Sequence, residues 1–189
     1  IIKEEKGEPY IFIEKFTPGK TALEILQGMD EVIRDIEFPK NMKWGNSSYH
    51  YVRPTHWIVA LLGEEVVPFE VFAVETGKVS EGHRFLGHSV EITAPEKYET
   101  LLKEQAVIPN RSERQAMIVE QINDLCEMYG WLVPAMNSEL LEEVTDLVEY
   151  PTAFVGNFDE KYLAIPSEVL ITSMKEHQRY FEVYSETGE

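Results

Sequence analysis

Cysteine is nearly absent from this chain of 189 residues: Cys126 stands alone. A single thiol excludes an intrachain disulfide framework and a cysteine-based zinc site. Long hydrophobic runs are missing as well. The longest uninterrupted apolar stretch, Trp57 to Leu62, falls far short of the roughly 20 residues that span a bilayer, so a membrane is not an expected partner. Positive charge is scarce: 17 Lys and Arg face 34 Asp and Glu, for a formal net charge of −17. Long-range repulsion from such a chain opposes non-specific approach to phosphates. What matters is then whether the few cations gather on one surface. Low-complexity segments and internal repeats are also lacking. No metal site is expected. His83 and His88 do not have helical His-x-x-x-His spacing, and the acidic run Glu139, Glu142, Glu143, Asp146 and Glu149 reads as a solvated helix face.

Core-forming material is present in ordinary amount: 43% of residues are hydrophobic, with nine Tyr, nine Phe and three Trp. The length suits one large domain. The chain opens on Ile1-Ile2 and closes on Ser185-Glu-Thr-Gly-Glu189, so it is expected to be a fragment of a longer polypeptide.

Periodicity sets the elements. Glu8 to Phe16 reads as a strand with Tyr10, Phe12 and Phe16 on its buried side. Thr21-Ala-Leu-Glu24 has capping-box spacing. Ile25, Leu26, Met29, Val32, Ile33 and Ile36 then continue one helix that must stop before Pro39. Trp57 to Leu62 reads as a mostly buried strand, Gly63-Glu64-Glu65 as a hairpin turn, and Val66 to Val74 as the return strand, with Pro68 marking an edge or bulge. Ser89 to Thr93 is a further short strand. Pro95 opens a helix carrying Tyr98, Leu101 and Leu102. Asn110 opens the longest helix, with Met117, Ile118, Ile122, Leu125, Cys126 and Tyr129 on one face and Gly130 as its stop. Ser138 opens another, ended by Pro151. Thr152 to Val155 is β-like, Ser167 to His177 is helical, and Arg179 to Tyr184 alternates as a strand. The order predicts an α+β fold with a central, mostly antiparallel sheet and packed helices.

Three constellations stand out. From Phe38 to Gly63 there is no acidic residue, yet the window holds Lys40, Lys43, His50, Arg53 and His56 among Trp44, Tyr49, Tyr51 and Trp57. Cations beside aromatic faces are what RNA contact requires; the plainer use of the aromatics is as core, which is the expectation for Trp57. The second is Gly82-His-Arg-Phe-Leu-Gly87-His88, where Arg84 suits a phosphate or carboxylate and His83 lies beside it. No Lys-Ser/Thr follows, so it is not a P-loop. A tight loop fixed by Phe85 packing is the alternative. The third is Ser173-Met-Lys-Glu-His-Gln-Arg-Tyr-Phe181, where Ser173 and His177 share a helix face and Lys175 and Arg179 form a small basic stripe. A Ser/His nucleophilic pair lacks an orienting acid or an oxyanion feature here, so no catalytic residue is assigned.

Five segments together resemble the β subunit of bacterial two-subunit, heterotetrameric glycyl-tRNA synthetase. In order they are Phe38-Pro-Lys-Asn-Met-Lys-Trp-Gly45, Val52-Arg-Pro-Thr-His-Trp57, Gly82-His-Arg-Phe-Leu-Gly87, Leu141-Glu-Glu-Val-Thr-Asp-Leu-Val-Glu-Tyr-Pro151 and Ile171-Thr-Ser-Met-Lys-Glu-His-Gln-Arg-Tyr-Phe181. The resemblance implies residues 1–189 as a single accessory α/β domain within a longer multidomain β subunit, similar to the editing-type domain of the phenylalanyl-tRNA synthetase β chain. It implies a cytoplasmic ligase that joins glycine to tRNA(Gly). ATP, with Mg, is used at the α subunit, and no cofactor is expected in this fragment. The implied partners are tRNA(Gly), the α subunit and the other domains of the β chain. A site that admits only glycine excludes larger residues sterically, so editing chemistry is not expected here; the motif set and the acid-free window give an expected role that is tRNA-facing and non-catalytic. The RNA-contact candidates are Lys40, Lys43, Trp44, Arg53, His83, Arg84, Lys175 and Arg179. An editing-like hydrolase, active or vestigial, and a structural docking module are the alternatives.

Overall fold

The computed structural model describes residues 2–5, 7–11, 13, 15–132 and 136–185. Its contacts divide into two compact units, Ile1–Gly77 and Lys78–Glu189.

The first unit begins with an antiparallel ribbon. β1 (Ile2–Glu5) pairs with β2 (Glu8–Ile11) about Gly7, whose φ of +85° only glycine adopts readily. Phe12, expected on a buried face, lies outside the described residues. Phe16, expected there too, is 86% exposed, because β2 ends at Ile11 and Phe16 lies beyond it, outside any strand. The capping box is present in both halves: the Glu24 amide donates to Thr21 Oγ1 (3.3 Å) and the Thr21 amide to Glu24 Oε2 (2.7 Å). It starts α1 (Ala22–Leu26), but the single helix expected beyond it is split. The Gly28 amide bonds back to Ile25 O, and α2 (Met29–Arg34) starts afresh. Glycine disfavours a helix interior by about 1 kcal/mol, which accounts for the break.

The β region is finer-grained than the sequence suggests. β3 (Met42–Lys43) pairs antiparallel with β4 (His50–Tyr51). The run Trp57–Leu62 yields two short strands. β5 (Ile58–Val59) and β6 (Leu61–Leu62) bend apart at Ala60, whose amide bonds Gly77 O and whose carbonyl accepts from Val67. β6 forms the expected hairpin with β7 (Glu65–Val66) around Gly63, at φ +62°. Pro68, lacking an amide hydrogen, ends the return strand. Thr76 Oγ1 spans the gap, donating to Val67 O (2.7 Å) and accepting from the Phe69 amide (3.1 Å). β8 (Glu70–Val71) and β9 (Val74–Gly77) form a hairpin whose turn residues, Phe72 and Ala73, both have positive φ. β9 also pairs with β5 in parallel, Ile58 opposite Thr76. A left-handed Phe is costly. Burial of its ring among Trp44, Tyr49 and Tyr51, at centroid distances of 4.9 to 5.8 Å, offsets that cost.

In the second unit β10 (Val79–Ser80) pairs antiparallel with β11 (Val90–Glu91). A 3-10 turn at Pro95–Lys97 leads into α3 (Tyr98–Lys103). α4 (Arg111–Tyr129) is capped by Asn110, which accepts from the Glu113 amide, and stops at left-handed Gly130. α5 (Ser138–Leu147) is capped by Asn137, one residue before the expected Ser138. The core joins Ile118, Ile122 and Cys126 of α4 to Leu141 of α5, with Trp131, Val144, Val148 and Phe181 packed around them. Cys126 is the expected core residue, and burial pushes its thiol pKa up.

Two expected strands do not form. Residues 152–155 stay irregular because the Gln121 side chain takes the place of a strand neighbour, accepting from the Ala153 amide (2.7 Å) and donating to Pro151 O (3.1 Å). After a 3-10 turn (Glu160–Ala164), α6 (Ser167–Thr172) continues as a π-helical turn, Ser173–Gln178. Arg179, at φ +60°, then reverses the chain, and only an isolated bridge, Leu132 to Tyr184, follows. The fold is thus α+β. Among the described residues the strands form several small, mostly antiparallel sheets in place of one central sheet.

Candidate nucleic-acid interface

The acid-free window is built on the β3–β4 pair. Register sets Lys43 opposite His50 and Met42 opposite Tyr51. Cross-strand partners point to the same face, and both Lys43 and His50 are exposed. Lys40 precedes this pair and Arg53 follows it, each exposed. Among the described residues none of Lys40, Lys43 and Arg53 has an acidic partner.

The aromatics divide into two groups. Phe38, Trp44, Tyr49, Tyr51 and Phe72 form one ring cluster, with Trp44 half-buried against Phe72 at 5.8 Å and Tyr51 edge-on to Phe38 at 5.0 Å. Ser47 Oγ donates to Trp44 O (2.8 Å) and fixes the bend beside it. The Arg34 guanidinium of α2 lies over Tyr49 and Phe72, at 5.9 and 5.8 Å. These rings brace the window from below. Trp57 behaves otherwise. It is expected in the core, yet it is 46% exposed, with the exposed His56 ring beside it at 6.4 Å. The reason is where its strand begins: β5 starts only at Ile58, so Trp57 is not drawn under the sheet. Expecting Trp57–Leu62 as one buried strand misplaced Trp57, whereas His56 already stood among the cations of the window. The available signal was their place directly after Arg53-Pro-Thr55, within the same acid-free stretch.

The Gly82–His88 loop is closed by its own backbone and by Gln105. The His83 amide donates to Gln105 O (2.9 Å), the Gly87 amide to His83 O (2.8 Å) and the His88 amide to Gln105 Oε1 (3.0 Å). His83 Nδ1 accepts from the Phe85 and Leu86 amides, each at 3.3 Å. That bonding leaves the ring proton to Nε2. Phe85 does not anchor the loop by packing. It is 83% exposed, with the Arg84 guanidinium 5.7 Å from its ring centroid.

The Lys175/Arg179 stripe is matched by carboxylates. Lys175 Nζ is 4.0 Å from Glu176, and Arg179 Nε is 2.6 Å from Glu143 on α5. Arg179 Nη1 also donates to the carbonyls of Lys175 (3.4 Å) and Glu176, sealing the end of the π turn. Ser173 and His177 are exposed, and among the described residues no hydrogen bond joins them. Among the described residues no helix is long and apolar enough to cross a membrane.

Along its full length the chain matches proteins of one class, the aminoacyl-tRNA synthetases. A family model described as glycyl-tRNA synthetase beta subunit matches residues 1–189, and the chain belongs to that family. It is 49% identical over 186 residues to the glycine–tRNA ligase beta subunit of Ligilactobacillus salivarius, covering 98% of this chain and 27% of that protein. It is 52% identical over 184 residues to that of Lactiplantibacillus plantarum, covering 97% and 26%. It is 47% identical over 188 residues to that of Bacillus subtilis, covering 100% and 28%. The chain therefore spans about a quarter of the length of these curated relatives.

Proposed function

We propose that residues 1–189 form an accessory, tRNA-facing part of a glycine–tRNA ligase β subunit, acting in the cytoplasm without breaking bonds itself. In this reading the α subunit catalyses the ATP- and Mg-dependent joining of glycine to tRNA(Gly). The present segment helps hold the tRNA and docks against other parts of the β chain. The kinship to the editing-type domain of the phenylalanyl-tRNA synthetase β chain belongs to the same proposal, with the chemistry of that domain not carried over.

One observation supports the tRNA contact above the rest. In a chain with two acidic groups for every basic one, Lys40, Lys43 and Arg53 are exposed and free of carboxylate partners among the described residues. Elsewhere among the described residues several cations are held in ion pairs, such as Lys78–Glu91 and Lys103–Glu113, both at 2.6 Å. Unpaired cations meet phosphates without first giving up a partner. Trp44 contributes by bracing the β3–β4 pair. Arg84 is a further candidate contact. His83, Lys175 and Arg179 belong to the margin, since each is already engaged by backbone or carboxylate.

The test uses the assembled two-subunit enzyme with Lys40, Lys43 and Arg53 replaced by Glu. The expected result is weakened tRNA binding and a raised KM for tRNA, with glycine activation by ATP unchanged. Unchanged tRNA affinity and charging would sink the contact.

A further inference from the structure

We propose that Trp57, with His56 beside it, is a stacking platform for an unpaired RNA base, set at the end of the cationic window. This rests on the tRNA-facing reading above and specifies which part of the nucleic acid the window takes: a single-stranded segment, not a duplex.

Trp57 is the one tryptophan of the acid-free window that the ring cluster does not absorb. Trp44 is half-buried against Phe72, whereas Trp57 leaves nearly half of its surface open, and among the described residues its one aromatic ring contact is the exposed His56. The two rings are 6.4 Å apart and tilted by 30°, so they continue one another loosely and leave indole surface free. The backbone beneath is fixed. Trp57 stands directly before β5, which is held by its register with β9 (Ile58 to Thr76, Val59 to Gly77) and by the Ala60–Gly77 bond. A platform beside a fixed strand loses little freedom when a base settles on it.

Charge points to RNA as the occupant, in preference to a protein face. Arg53 is exposed four residues before Trp57, and nothing acidic occurs between Phe38 and Gly63. A cation that reaches a phosphate, next to an open aromatic face that takes the attached base, is the arrangement by which proteins hold single strands. In a duplex the base faces are already stacked, so Trp57 would gain nothing there. In single-stranded loops and ends they are free.

The experiment uses the assembled two-subunit synthetase carrying Trp57→Ala or Trp57→Phe, with a short oligoadenylate and a blunt RNA duplex as probes. Trp57→Ala is expected to weaken oligoadenylate binding about 5- to 150-fold, the range that alanine substitution gives for one lost base stack. Duplex binding and the salt dependence of both should be unchanged. Trp57→Phe keeps a flat ring and should retain most of the affinity. Oligoadenylate should quench the tryptophan fluorescence of the parent enzyme more than that of Trp57→Phe. The proposal is overturned if Trp57→Ala binds oligoadenylate like the parent, or if it loses duplex and single strand alike. It is also overturned if acrylamide fails to quench Trp57 in the free synthetase, because protein then covers the ring. The cation reading fails separately: it falls if the Lys40, Lys43 and Arg53 reversals leave tRNA binding unchanged, whatever the Trp57 variants do.

Discussion

Two glycines decide the shape of the Gly82–His88 loop by lacking a methyl group. A Cβ on Gly82 would lie 2.6 Å from Gln105 Cβ and 2.8 Å from His88 O. A Cβ on Gly87 would run into the Gln105 carbonyl and lie 2.8 Å from the His83 amide nitrogen. The obstacles are largely backbone, so they cannot swing aside as a long side chain would. Gly87→Ala is therefore expected to destabilise the second unit by about 1–3 kcal/mol. Denaturant unfolding checks the size, and loss of amide protection at Phe85 and Leu86 shows that the loop has opened. The pair of glycines was visible in the sequence. Their partner was not, because Gln105 lies well down the chain and only the folded path brings it near. The same limit explains Phe85, an apolar residue that the loop holds outward.

At the scale of elements, two arginines near the start of α4 make different kinds of join. Arg111 pairs with Asp146 of α5 through Nε (2.7 Å) and Nη2 (3.1 Å), with both side chains substantially exposed. Arg114 is part-buried and donates to three carbonyls: Ile108 (2.7 Å), Pro109 (3.0 Å) and Thr145 (3.2 Å). Removing it strands those carbonyls, so Arg114→Ala is expected to cost about 2–3 kcal/mol. The exposed pair is worth less and depends on pH. The hydrogen bond from Arg111 holds the Asp146 carboxyl below its usual pKa, aided by the charges of Arg111 and Arg114. A carboxyl lowered in the folded state adds stability above its unfolded pKa, and loses it as pH falls through the folded value. Thermal midpoints measured from neutral to acid pH should therefore fall more steeply for the parent chain than for Asp146→Asn. Equal slopes would show that the pair carries no linkage. Caps and stops at this scale were legible in advance, at Thr21–Glu24, Asn110 and Gly130. Breaks were less so: Gly28 divided a helix and Ala60 a strand. Gln121 removed one strand through its side-chain bonds and the left-handed backbone of Arg179 another, neither of which periodicity registers.

For the whole molecule, charge balance is the governing quantity. A net charge of −17 opposes approach to RNA at long range, so any contact must be local and short-ranged. Salt then acts in two opposed ways, screening the general repulsion and weakening the few phosphate contacts. If the window meets tRNA as proposed, the logarithm of tRNA affinity against the logarithm of salt should have a shallow slope. Each of Lys40, Lys43 and Arg53 replaced by Gln should reduce its magnitude by about 1 if that residue meets a phosphate. Titrations across a salt series read this directly. A slope unmoved by all three removes them from the interface.

Sequence by itself determined the family, the α+β character, the main helix caps and the location of the acid-free window. Each of these depends on residue identity and on neighbours a few positions away. Tertiary structure alone decided which cations remained free and which aromatics remained open. Lys175 and Arg179 looked like a basic stripe until folding set Glu143 beside Arg179. Trp57 looked like core until its strand proved to start one residue later. Both outcomes turn on partners distant in sequence, and a carboxylate or a covering layer acts on a side chain only across the few ångströms that folding closes.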